Sequence, residues 1–168
     1  ILTTETISEF KFINQTGNVI TRDSLIGKIC VADFFFTTCP TICPVMKSQM
    51  IRVYEKYKTR SDFRIISHTI DPEHDNVEVL KAFSDKLEVD PRFWYFVTGN
   101  KDSIYTMAER YMVSASADPG APGGFIHSGA FILLDKKGLV RGYYDGTKEQ
   151  AVDSLIIDIG YLLDENSN

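Results

Sequence analysis

Residues 28–36, Lys-Ile-Cys-Val-Ala-Asp-Phe-Phe-Phe, form an almost continuous apolar run rich in β-branched and aromatic side chains. A strand of that kind has to be covered on both faces, as in the middle of a sheet flanked by helices. The rest of the chain supplies the cover. Met46, Met50, Val53, Tyr54 and Tyr57 recur on one helical face just after residues 39–44. Residues 63–70 predict a strand, 76–88 a helix through Val77, Leu80, Phe83 and Leu87, 93–97 a strand and 101–112 a helix. Residues 129–134 and 139–144 predict a hairpin around Asp135-Lys136-Lys137-Gly138, and Val152, Leu155, Ile156, Ile159 and Leu163 line a last helix. Three βα units followed by ββα imply an α/β fold with a mainly parallel central sheet, helices on both faces and an antiparallel pair at its end. Ahead of them, Phe10, Phe12 and Val19 alternate around Asn14-Gln15-Thr16-Gly17-Asn18 and predict a short hairpin. The chain thus reads as one domain over 1–168, with 1–27 a hairpin extension and 28–164 the core.

Composition narrows the function. The 168 residues are 43% apolar and 24% charged, the balance of an ordinary folded domain. Eighteen basic against twenty-three acidic residues leave a net charge of −5, which gives nucleic acid no basic footprint to bind. The apolar runs 29–36 and 131–134 fall well short of the roughly 18 residues that a membrane span needs. The sequence starts at Ile1, so a leader or anchor preceding it is expected.

Three cysteines are too few for a disulfide scaffold. Cys30, inside the apolar run, reads as a small core residue. Cys39 and Cys43 are different, because Cys39-Pro40-Thr41-Ile42-Cys43-Pro44 follows a buried strand and precedes a helix, where helix-terminal N–H groups favour thiolate. The two prolines stiffen the turn and disfavour helical backbone at the residues before them, so a loop is expected to present both sulfurs to one point. Such a pair can bind a metal or cycle to a disulfide. Structural zinc wants four ligands, and the chain has no second cysteine pair or HxxxH run to complete a set. Two thiolates with one imidazole suit copper, as Cu(I) or Cu(II).

Three histidines compete for the third position. His68 lies within a predicted strand and reads as a core or sheet-face residue. His74 sits in the acidic turn Asp71-Pro72-Glu73-His74-Asp75 and reads as a solvated side chain, with Asp75 the helix N-cap and Glu78 three residues on. Asp71 shapes the Asp-Pro turn. His127 follows the irregular stretch 113–124, which holds two prolines and three glycines. A histidine at a strand's edge can simply bond a backbone carbonyl, but the glycine-rich approach favours function.

The run Phe34-Phe35-Phe36-Thr37-Thr38-Cys39-Pro40-Thr41-Ile42-Cys43-Pro44, then Ile70-Asp71-Pro72-Glu73-His74-Asp75, then His127-Ser128 before a strand ending in Asp135, resembles the Sco/SenC family over nearly the whole chain. The resemblance implies a thioredoxin-like fold, in agreement with the element order above. It also implies a membrane-tethered, extracytoplasmic (periplasmic in a bacterium) copper metallochaperone for the dinuclear copper centre of cytochrome c oxidase, binding one copper per chain through Cys39, Cys43 and His127. The oxidase's copper-bearing subunit and an upstream copper donor would be its partners, and the chain would act as a monomer. Asp71 and Asp75, in the family's Asp-Pro-x-x-Asp turn, are expected to serve structure or partner contact before metal binding. One departure is Ile126, where family members often carry an acidic residue, which removes the expectation of carboxylate help beside the histidine.

An enzymatic alternative uses the same residues: a thiol–disulfide oxidoreductase in which Cys39 and Cys43 keep a partner's cysteines reduced and His127 has no necessary role. A peroxidase of the peroxiredoxin type is disfavoured, since the threonine expected three residues before its reactive cysteine is Phe36 ahead of Cys39 and Pro40 ahead of Cys43.

Overall fold

The computed structural model describes residues 6–40 and 42–165. Strands β1 (Lys11–Asn14) and β2 (Val19–Thr21) form the first hairpin, with Gly17 at φ +78° closing its turn. Then come β3 (Ile29–Phe35), α1 (Ile42–Tyr57), β4 (Phe63–Thr69), α2 (Val77–Leu87), β5 (Trp94–Thr98) and α3 (Lys101–Arg110). The last third holds β6 (Ala115–Ala117), β7 (Phe125–His127), β8 (Ala130–Leu134), β9 (Val140–Asp145) and α4 (Glu149–Asp164). Seven strands make one sheet in the order β2-β1-β5-β4-β3-β8-β9, with β3, β4 and β5 parallel and the others antiparallel to their neighbours. The N-terminal hairpin extends this sheet through β1 and β5 rather than standing apart from it.

Every residue of β3 is buried, as its apolar run requires. Odd and even positions along a strand point to opposite faces. Phe35 meets Phe83 of α2 and the Lys47 ammonium of α1, whereas Phe34 meets Tyr111 at the end of α3. Helix α4 joins the α1 side, where Tyr57 donates to the Ile156 carbonyl at 2.6 Å and Arg52 pairs with Asp153. Three helices therefore cover one face and α3 the other. Right-handed crossovers place α1 and α2 on one face, because β3-α1-β4-α2-β5 steps across parallel strands one way, and α3 lies on the other face as the chain returns from β5 to the antiparallel β8 on the far side of β3. No helix among the described residues is long and apolar enough to cross a membrane.

His68 on β4 is fully buried, stacked on Phe34 at 4.5 Å, with Nδ1 3.0 Å from the Asp33 carbonyl. Burial pushes its pKa down to about 4, so it is neutral in the core. In the unfolded chain it titrates near 6.5. Between those values the unfolded state binds more protons than the native state, so stability falls as the pH drops through that window, by roughly 3 kcal/mol for this group. Urea unfolding at pH 7 and pH 4.5 should show the loss and His68→Phe should flatten it; equal slopes for the two proteins would assign the acid sensitivity elsewhere.

Candidate metal centre

Cys39 and Cys43 stand at the junction of β3 and α1. The Cys39 amide donates to the Phe36 carbonyl at 3.2 Å, a turn that ends the strand's path and leaves the residue half-buried. Cys43 is the second residue of α1, not part of a loop, and is 4% exposed. Pro44 is tolerated there because first-turn amides have no partner within the helix. Helix geometry thus fixes the second sulfur, and the turn after β3 fixes the first. Thr41 lies outside the described residues.

A third element brings the imidazole. Residues 113–124, expected to be irregular, contain β6, which pairs antiparallel with β7 so that Ala115 faces His127. The Ser128 amide donates to the Ser114 carbonyl at 2.7 Å and closes that hairpin beside the site. Ala-Ser-Ala has little intrinsic strand preference, which is why periodicity misses β6. Gly123, at φ +75°, lets the hairpin tip approach: a Cβ there would lie 2.8 Å from the Phe36 ring and 3.2 Å from Pro40. The Phe36 ring in turn packs on Phe125 and, edge-on, on His127.

His127 Nε2 lies 2.7 Å from Cys43 Sγ and 3.9 Å from Cys39 Sγ, and the three donor atoms all fall within 4.8 Å of one another. Among the described residues this is the only cluster of three or more such ligands. His127 Nδ1 is 3.0 Å from the Ser128 carbonyl, an acceptor, so Nδ1 carries the proton and Nε2 turns its lone pair to the sulfurs. Burial lowers the His127 pKa, keeping the ring neutral and able to ligate. Burial also raises the Cys43 pKa strongly, outweighing the Phe36 backbone hydrogen bond and the Lys47 charge, both of which favour thiolate. The helix start therefore does not make Cys43 a free thiolate. It holds its proton until a metal ion displaces it.

The other candidates fall where chemistry is absent or indirect. Cys30 is buried in the core, with its pKa pushed up to about 12 by that burial. The His74 side chain is 53% exposed and pairs with Asp75 at 2.9 Å. Asp75 is not the N-cap of α2; Asn76 is, accepting from the Val79 amide at 2.9 Å. Asp75 is instead fully buried and accepts from the Thr37 amide at 3.0 Å, from the Thr69 hydroxyl at 2.6 Å and from the Thr37 hydroxyl. It ties the loop after β4 to the segment that carries Cys39, a role legible only once β3 and β4 are seen to be adjacent. The side chain of Ile126, the departure from the family pattern, lies outside the described residues. Sequence reasoning also misses a buried ion pair, Asp33 on β3 with Lys47 on α1. Its one signal is an acid within an apolar strand.

Fold and site together define a class: an α/β protein whose strand-to-helix dithiol is completed by an imidazole into a site for a soft metal ion. The SCO1/SenC family model matches residues 2–159, and the chain belongs to that family. The SCO1 protein homolog of Bacillus subtilis (strain 168) is 34% identical over 155 residues, covering 91% of this chain and 80% of that protein. A SCO1/SenC family lipoprotein from Bacillus anthracis str. Ames superposes with a TM-score of 0.85 at 31% identity, covering 94% of this chain and 95% of that one. BsSco, described as a member of the Sco family of cytochrome c oxidase assembly proteins with a disulfide switch, gives 0.80 at 33%, over 92% and 91% of the two chains. Copper-bound ScoI of Bradyrhizobium japonicum shares the fold, with a TM-score of 0.77 at 23% identity over 94% and 99%. The architecture is thus the thioredoxin-like fold that the sequence motifs imply.

Proposed function

We propose that this chain is a copper metallochaperone that holds one copper ion on Cys39, Cys43 and His127 and passes it to the copper-bearing subunit of a cytochrome c oxidase. The observation that carries this reading is the convergence of two sulfurs and a correctly oriented imidazole nitrogen from three separate elements. A dithiol needs no such histidine. Membership of the SCO1/SenC family and the stated role of BsSco in oxidase assembly support the destination of the metal. The chain works outside the cytoplasm, tethered to a membrane as a lipoprotein relative would be, and receives copper from an upstream donor.

Delivery proceeds by ligand exchange. Cys39 is half-buried, whereas Cys43 and His127 are only 4% and 7% exposed, so an incoming thiolate reaches the metal most readily from the Cys39 side. Cys43 and His127 retain the ion until the partner supplies its remaining donors. Anaerobic titration of the reduced protein should give one copper per chain, with sulfur-to-copper charge-transfer absorption in the Cu(II) form. Absence of binding, together with rapid disulfide exchange with a dithiol partner, would replace this reading by that of a thiol–disulfide oxidoreductase.

A further inference from the structure

Asp33 Oδ2 and Lys47 Nζ lie 2.8 Å apart in the interior, with side chains 0% and 5% exposed. Lys47 Nζ also sits 4.4 Å from the centre of the Phe35 ring and 6.0 Å from those of Trp94 and Phe96. Such a pair is costly to bury, and apolar residues of similar volume usually serve a core at least as well. Here the cost is aggravated, because Asp33 Oδ1 has no hydrogen-bond partner among the described residues. Folding alone gives little reason for the pair. Its location gives one: Lys47 lies four residues, one helical turn, beyond Cys43, and Asp33 is on the strand that leads to Cys39. The Lys47 charge favours thiolate at Cys43 and the neutral ring at His127.

We propose that Lys47, held in place by Asp33, sets the oxidation-state preference of the bound copper in favour of Cu(I). This rests on the donor set proposed above. Two thiolates and a neutral imidazole leave Cu(I) with a net charge of −1 and Cu(II) with none, so a fixed buried cation stabilises the Cu(I) complex selectively. At an effective dielectric of about 20, a single charge within about 10 Å alters such an equilibrium by on the order of tenfold or more. The Asp33 carboxylate, of opposite charge, opposes the effect and attenuates it.

The test is the ratio of Cu(I) to Cu(II) affinities, each measured anaerobically against a competing chelator, for Lys47→Met, Asp33→Asn and the double variant. Lys47→Met is expected to lower the Cu(I):Cu(II) ratio by on the order of tenfold. Asp33→Asn is expected to raise it several-fold, and the double variant to lower it by less than Lys47→Met. Opposite signs from the two single variants are something a merely structural role does not produce, since loosening the core weakens both ions in parallel. Should Lys47→Met fail to fold in a thermal melt, Asp33→Asn and the uncharged double variant still give opposite signs. Unchanged ratios, or ratios moving the same way in both, would overturn the role of Lys47 while leaving the donor set intact. A wild-type protein that binds neither ion would instead remove the donor set itself.

Discussion

Replacing His127 by alanine is expected to lower copper affinity by more than about a hundredfold while leaving Cys39 and Cys43 able to form a disulfide. Loss of an outer partner of a metal ligand typically costs about 10- to 100-fold, and removing a ligand itself costs more. The imidazole is also prepared for this task at a price the fold would otherwise avoid: it is buried, kept neutral by that burial, and orientated through Nδ1 by the Ser128 carbonyl. Cys43→Ser should weaken copper at least as much, because a hydroxyl offers a hard donor in place of a thiolate, and it also abolishes the disulfide. The two variants together therefore separate metal delivery from thiol exchange. Competition against a copper chelator measures the first, and thiol–disulfide equilibration with glutathione the second. If His127→Ala binds copper as tightly as the wild type, the imidazole is not a ligand and the dithiol stands alone.

Asp75→Ala should cost roughly 3 to 5 kcal/mol of folding stability and weaken copper by about 10- to 100-fold, although Asp75 is not among the proposed ligands. Its carboxylate is fully buried and accepts from the Thr37 amide and from the hydroxyls of Thr37 and Thr69, with His74 at its outer side. Alanine leaves those donors without partners, each at about 1 to 3 kcal/mol if no water enters. It also releases the segment between β3 and Cys39, two residues beyond Thr37, from the loop after β4. Asp75→Asn keeps the size and one acceptor oxygen and should lose less. Denaturant unfolding and copper competition on the same samples check both effects. Wild-type stability and affinity in Asp75→Ala would reduce this network to a surface detail.

The site was partly legible from local chemistry. Cys39 and Cys43 stand out because two thiols flanked by prolines at a strand-to-helix junction restrict the backbone in a way the sequence shows directly. The buried character of Cys30 and His68 follows from strand periodicity. Asp75 reads as the N-cap of α2 because an acid just ahead of a helix is an ordinary capping signal, but Asn76 carries the same signal one residue later and is the cap. What distinguishes them is Thr37, thirty-eight residues away, which claims the Asp75 carboxylate. Strand β6 escaped for a similar reason, since Ala-Ser-Ala becomes a strand only when β7 lies beside it.

By itself the sequence determined the order of the main-sheet strands and the four helices, the buried run that must be the centre of the sheet, and the pair of sulfurs at its end. These follow from periodicity and from backbone restrictions that act over a few residues. Only the tertiary structure decided that His127 reaches that pair, that its Nε2 faces it, and that Lys47 and Asp33 form a buried ion pair. Those facts depend on which distant segments share a face of the sheet. Such neighbours are selected by the packing of the whole chain, and no stretch of residues read alone contains them.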